Sequence, residues 1–397
     1  MNVAVIATEP KWKWTGHPLW LVGFRPFFAL AALSAVTLPV LWVLVLSGVL
    51  SPPPAPFSVV QWHAHEMFFG FGFAVLGGFL LTATKNWVQV RGWFGRALQL
   101  LVAAWLFERV GMWFGGAWPR LLFLVSNFLF LATLAAMVGW TLLRHRATDT
   151  YRDNFIFPVV LGAFLLAKVL LLSPEGFVAG RTMALALFRV AFVVMLERTL
   201  TQFMKAAFKV QVPRVAAVDV AIKALALLLV ATPVLPPVLA AGAALLLAAL
   251  LTGRFLAWSP HLALRRLDIG IMYLGGFALA AQLVLQALEA LLHVAWVGAM
   301  SVHTFTFGTM GLIIPAMITR VAKGHTGRPP AFDAFDKAAL WVMLAGFVAR
   351  VVLPQLAPAQ YQAWVWTAAT CWSAGFGLVA WRTLPLLFRP RVDGREH

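Results

Sequence analysis

The chain has 397 residues, of which 62% are hydrophobic and only 11% are charged, with a mean hydropathy of +0.86. Soluble domains carry about 25% charged and roughly 45–50% apolar residues, so a soluble globular enzyme and a disordered chain are both excluded. A polytopic α-helical membrane protein remains: a span takes ~20 mostly apolar residues, and about twelve of them with short loops fill the chain.

Apolar runs lie near 20–49, 58–84, 93–115, 119–143, 155–173, 178–204, 216–234, 236–257, 268–293, 295–319, 333–353 and 361–387. They predict an all-α fold of about twelve transmembrane helices forming a single domain over 1–397. Turn residues separate most runs, as in Ser51-Pro52-Pro53-Pro54, Gly115-Gly116-Ala117-Trp118-Pro119 and Ser173-Pro174-Glu175-Gly176. The weakest break is at 293–295, marked only by His293. The polar, aromatic first 16 residues and the long run behind them predict no cleavable signal peptide. A lone cysteine, Cys371, excludes an intrachain disulfide and any CxxC metal or haem-attachment motif.

The net charge of +17 would suit a nucleic-acid partner, but its placement has another cause. With the N-terminus inside, twenty Lys and Arg residues between Lys11 and Arg395 fall on the cytoplasmic side, against Arg120 and Arg181 opposite. Basic residues concentrate in cytoplasmic loops. Both termini are therefore expected to be cytoplasmic, and no nucleic-acid partner is needed.

Ionisable groups within a span cost about 2.5–3.5 kcal/mol on insertion scales and so need a partner or a purpose. Of the nine histidines, His145, His261 and His397 fall in loops or the tail. His63 and His65 open the second span within Trp62-His63-Ala64-His65-Glu66-Met67. His293 closes span nine, and His303 falls inside span ten, ~12 Å along its axis. Neutral imidazole is the commonest metal ligand and an axial haem ligand. On a helix His63 shares a face with Glu66 and Met67, whereas His65 points about 200° away. The two histidines therefore serve different centres unless the first turn unwinds.

His65 and His303 are each followed by Phe-Gly at the fourth and fifth positions (Phe69-Gly70, Phe307-Gly308). Two readings stand for the glycines of these spans: close helix packing, or room for a flat macrocycle. A second cluster lies at the cytoplasmic face, in His17-Pro18, Gly23-Phe24-Arg25-Pro26-Phe27-Phe28 and Thr319 to Pro329, which includes His325 and Arg328. Its cations suit haem propionates or the simple anchoring of helix ends. Glu108-Arg109, Lys168, Arg189, Glu197-Arg198 and Glu289 are further charges within spans. Adjacent residues do not face each other on a helix, so Glu108 and Arg109 are expected to pair across helices. Glu197, Thr201 and Lys205 form an i, i+4, i+8 line suited to protons or to a structural ion-pair network.

The segments His17-Pro18, Gly23 to Phe28, Trp62 to Met67, Lys85-Asn86-Trp87 and Gly324-His325-Thr326-Gly327-Arg328-Pro329 resemble the NnrS family, with His303 also fitting. The chain departs from the family pattern near span six, where Glu197 to Met204 lacks the expected proline. The resemblance implies a multi-pass protein of the bacterial inner membrane, linked to nitric oxide and to nitrosative stress, containing haem b and copper. On that footing His65 and His303 are expected as haem ligands, and His63, with His293 or Met67, as copper ligands. His17, Arg25, His325 and Arg328 would lie near the cofactor. Glu66, Glu108, Arg109, Glu197 and Arg198 would form a charge or proton network. Nitric oxide would be the small-molecule ligand; the sequence names no redox partner.

The alternative is a twelve-span secondary transporter coupled through buried Glu, Arg and His. The matching histidine segments fall in spans two and ten rather than in a six-plus-six repeat. A haem–copper oxidase core lacks its His-His pair here.

Overall fold

The structure, a computed structural model, describes residues 16–53 and 57–396. Lys11, Lys13 and His397 lie outside them. Among the described residues there is no strand, and twelve long helices follow one another: α1 (Phe24–Leu46), α2 (Val59–Trp87), α3 (Arg96–Ala117), α4 (Arg120–Arg144), α5 (Arg152–Leu172), α6 (Phe177–Phe208), α7 (Ala216–Val234), α8 (Pro237–Ala257), α9 (Leu267–Leu292), α10 (Met300–Gly324), α11 (Ala334–Leu356) and α12 (Tyr361–Leu387). The first eleven are long and apolar enough to cross a membrane. α12 has the length, 27 residues, but four tryptophans and several polar residues dilute its apolarity.

Neighbours in sequence pack together, and α12 closes the bundle against α1, α10 and α11. In the most apolar stretches of α2 and α10, 78% of residues are buried inside the protein, against 22% in α7. α2 and α10 are therefore the inner helices, and α7 faces the surroundings. Rings from α2, α5 and α6 interlock at the centre, with Phe73–Phe164 centroids 4.7 Å and Phe164–Phe188 centroids 4.9 Å apart.

Small residues set these approaches. A Cβ at Gly180 of α6 would lie 2.2 Å from the backbone nitrogen of Leu171 on α5, and one at Gly308 of α10 would lie 2.8 Å from Ala278 of α9. The glycines after the two histidines thus serve packing, the commoner of their two uses in membranes. A Cβ at Gly70 would strike Arg109, and at Gly72 it would strike Phe188.

α2 starts at a capping box in which Ser58 and Gln61 bond reciprocally, at 3.2 and 2.8 Å. After His65 the helix widens into π-helical turns over Glu66–Gly72. α10 does the same over Thr304–Gly311, directly after His303, and α11 over Val348–Val352, around Arg350. Such widenings are frequent at functional sites.

Candidate functional site

His63, His303 and Arg350 meet at the end of the bundle where α2 and α10 begin. They line one cavity of about 130 Å³ together with Met67, Arg181 and Trp42. The His63 ring stacks on Trp42, 4.1 Å between centroids, and forms no hydrogen bond among the described residues. His303 is pinned instead. Its Nδ1 lies 2.8 Å from the Ala299 carbonyl and its Nε2 3.3 Å from Nη2 of Arg350. A carbonyl only accepts and a guanidinium only donates, so Nδ1 carries the proton and the Nε2 lone pair accepts from Arg350. This is the hydrogen-bonding pattern by which a metal-ligating imidazole is oriented.

The α10 helix starts at Met300, not at 295, so His303 stands in its first turn rather than ~12 Å inside the span. The break before it is a real loop, and His293 ends α9 in the left-handed conformation, exposed and outside the cavity.

His65 turns the other way, as the 200° offset requires, and is fully buried. Its Nδ1 lies 3.2 Å from Glu66 Oε1 and its Nε2 3.3 Å from Glu108 Oε1. Lys168 of α5 binds the same Glu108 oxygen at 2.5 Å, and Arg109 bridges Glu66 (3.3 Å) and Glu108 (2.6 Å). One expectation from the sequence does not hold at this cluster and one does. His65 does not join His303: its Nδ1 is bonded to Glu66 and its Nε2 faces Glu108. Glu108 and Arg109 pair across helices, with Lys168 and Glu66 respectively, and the long guanidinium arm also wraps back onto Glu108. Two acids and two bases balance, which makes this buried cluster tolerable in lipid.

Glu197 leads sideways and not along its own helix. It pairs with Arg214, Lys223 (3.5 Å) and Arg254 (3.6 Å), while Arg198 pairs with Asp153 at 2.7 Å. Lys205 is exposed, so the expected line toward it ends at Thr201, whose hydroxyl donates to the Glu197 carbonyl at 3.1 Å. The network ties α5 and α6 to α7 and α8.

At the opposite end, the sequence cluster proves to be a clasp. Arg25 is buried and donates from Nη1 to the carbonyls of Leu387 (2.9 Å) and Arg389 (2.7 Å), capping α12. The Gly324 to Pro329 segment holds the tail: Val392 N donates to Thr326 O at 3.1 Å and Arg391 to His325 O at 3.0 Å. Gly327, at φ +80°, sits where a Cβ would lie 3.0 Å from the Asp393 carboxyl carbon. Arg328 reaches only the Thr326 carbonyl, 3.4 Å away. His17 accepts from Leu19 N at 3.2 Å and caps a short turn. Of these four expected cofactor residues, His325 faces a second cavity, of about 160 Å³, whose lining does not include the other three.

Arg181 and Arg350 escape sequence reasoning. By sequence Arg181 is only a loop charge, and nothing in a lone Arg350 on an apolar run marks it as facing two histidines. Its inner-span position, which is costly in lipid, is the available signal. Among the described residues, no group of three or more His, Cys, Asp or Glu side chains is placed to hold a metal ion.

Comparison with curated proteins gives no match. A family model described as NnrS protein matches residues 18–391, nearly the whole chain. The chain, a multi-pass helical membrane protein, belongs to the NnrS family.

Proposed function

We propose that this chain is a haem-b protein of the bacterial inner membrane that captures or processes nitric oxide and so supports resistance to nitrosative stress. The reading rests on one observation: His63 and His303, from helices far apart in sequence, open onto the same aromatic-walled cavity. The donors there suit haem. His303 has the nitrogen lone pair that haem iron would take once Arg350, which now donates to it, turned to a propionate. Arg181 and Arg350, with no carboxylate among the lining residues, suit the propionates. A second metal fits less well. Copper would have to take His63 or His303 from the haem, since Met67 is the only other soft donor lining the cavity. No step is assigned to copper.

Ferrous haem, when bound, supplies an iron that takes nitric oxide. The residues around it do the rest. His303, oriented through Ala299, would be the fixed ligand. His63, resting on Trp42 without a hydrogen bond, would be the exchangeable one. Phe68, Phe307 and Trp372 exclude water, which suits a small apolar ligand arriving through lipid. The buried His65–Glu66–Glu108 cluster lies beside the cavity through Met67 and serves as its charge or proton reserve.

The test is an optical spectrum of the detergent-purified protein, oxidised, reduced and exposed to nitric oxide, with iron counted per chain. Native protein should show a b-type spectrum that shifts with nitric oxide. His303→Ala should lose the haem. His63→Ala should keep it with an altered spectrum, and His65→Ala should leave the ligation unchanged. A haem-loaded His303→Ala protein, or a colourless native one, overturns the assignment.

A further inference from the structure

Two more cavities continue down the bundle from the haem-side cavity. The middle one, about 80 Å³ and almost wholly apolar, runs between α2, α6, α9 and α10. The last, about 160 Å³, lies at the His325 end. These two share Phe28, Phe79, Met195, Thr199 and Val321 as walls, so they adjoin, an apolar arm beside a polar head.

The head has a particular chemistry. Asn86, Tyr151, Gln202 and His325 line it, and none of the four side chains hydrogen-bonds to another described residue. Thr199 donates to the Met195 carbonyl at 2.8 Å and keeps its acceptor lone pairs. The rings of Phe24, Phe28, Phe79 and Trp87 wall the same space. The guanidinium facing it, Arg198, is already neutralised by Asp153 at 2.7 Å and bonded to Asn154 at 2.8 Å. The lining of the head therefore offers neutral donors and acceptors between aromatic faces, with Asn86 and Gln202 also reaching the surface, while the cations Lys85, Arg25 and Arg391 lie near His325 outside that lining. The arm is lined by flexible methionines, Met195, Met272, Met310 and Met317, which adapt to an irregular apolar chain.

We infer that this space binds a membrane quinol, its ring among Asn86, Tyr151, Gln202 and His325 and its isoprenoid tail in the methionine-lined arm. A flat neutral ring carrying oxygens on opposite edges, with an apolar tail, matches both halves. The inference goes beyond the haem reading and does not rest on it: it assigns a binding site and no electron transfer between the two. The quinol site would lie roughly 30 Å along α2 from His63, at 1.5 Å per residue.

The experiment extracts quinone from protein purified in mild detergent, counts it per chain, and follows thermal unfolding with added decylubiquinone. Native protein should retain close to one quinone per chain, and decylubiquinone should raise its melting temperature. Thr199→Trp, which fills the junction of head and arm, should lower quinone retention at least tenfold. His325→Ala should weaken the decylubiquinone shift while leaving the fold intact, and it decides the matter if the tryptophan variant fails to insert. His63→Ala should retain quinone. Equal retention in native and Thr199→Trp protein, absence of any decylubiquinone effect on native protein, co-purified phospholipid in place of quinone, or loss of haem in both cavity variants would each overturn the inference. A native protein that binds decylubiquinone but carries no haem would overturn the haem reading alone.

Discussion

His325 sits where the clasp meets the polar cavity, and its charge state couples to the stability of both. Burial, followed by the nearby charges of Lys85, Arg391 and Arg25, lowers its pKa from 6.5 to about 4. The folded protein therefore holds it neutral, while the unfolded chain protonates it near 6.5. Where the unfolded state binds more protons, stability falls as pH falls. The contribution is complete above 6.5 and is lost progressively down to about 4. Thermal unfolding of native protein should show a drop between pH 7.5 and 5 that is smaller in His325→Gln. An equal drop in both would assign the sensitivity to other groups.

Residue spacing alone separates His63 from His65, because two positions along a helix amount to about 200° of rotation. Which of them faces His303 is not legible in the sequence, since it depends on the phase accumulated through the turns that follow. Arg25 illustrates a different limit. A buried arginine in a Gly-Phe-Arg-Pro string suggests an anion, and only the fold shows that its partners are two helix-end carbonyls.

Among the elements, the twelve apolar runs each form one long helix, with ends shifted by a few residues. Hydrophobic length is a property of composition, so it survives translation from sequence. The π-helical turns of α2, α10 and α11 are invisible there, because nothing in a 3.6-residue period announces one extra residue in a turn. They matter for the site. In α2 the Gly70 carbonyl, within the widened stretch, accepts from Trp105 Nε1 at 3.2 Å. In α10 the Thr309 hydroxyl donates across to the Gly275 carbonyl at 2.9 Å. Each widened segment is thus fastened to a neighbour, which fixes the direction of the histidine before it. Deleting one residue from the α10 stretch, Thr306, should restore regular helix and remove the local offset that the widened turn gives the side chains beside it, His303 among them. The expected result is a protein that still inserts and unfolds cooperatively but holds less than a tenth of the native haem. Undiminished haem would mean that the widened turn does not aim the ligand.

For the molecule as a whole, the clasp and the charge pattern point to one arrangement in the membrane. The start of α1, the loop after α10 and the tail after α12 are joined by Arg25, His325 and Arg391, so they share an end of the bundle. α11 leaves that end and α12 returns to it. At ~1.5 Å per residue α12 is about 40 Å long, enough for the roughly 30 Å hydrocarbon core despite its tryptophans. Basic residues crowd the clasp end, and Arg181 and Arg350 at the other end are taken into the histidine cavity. By the bias of Lys and Arg toward the cytoplasm, the clasp end is expected inside, and the proposed haem cavity would then lie toward the outer face. Cysteines introduced one at a time into a Cys371→Ser background test this directly. Ala147→Cys, in the exposed α4–α5 loop at the clasp end, should resist a membrane-impermeant maleimide in intact spheroplasts and react after permeabilisation. Glu175→Cys, in the α5–α6 loop, should react at once. The reverse pattern would turn the molecule over and place the haem on the cytoplasmic side. Equal reactivity at both positions would mean that α5 does not cross, and the alternation that assigns every other loop would fail with it.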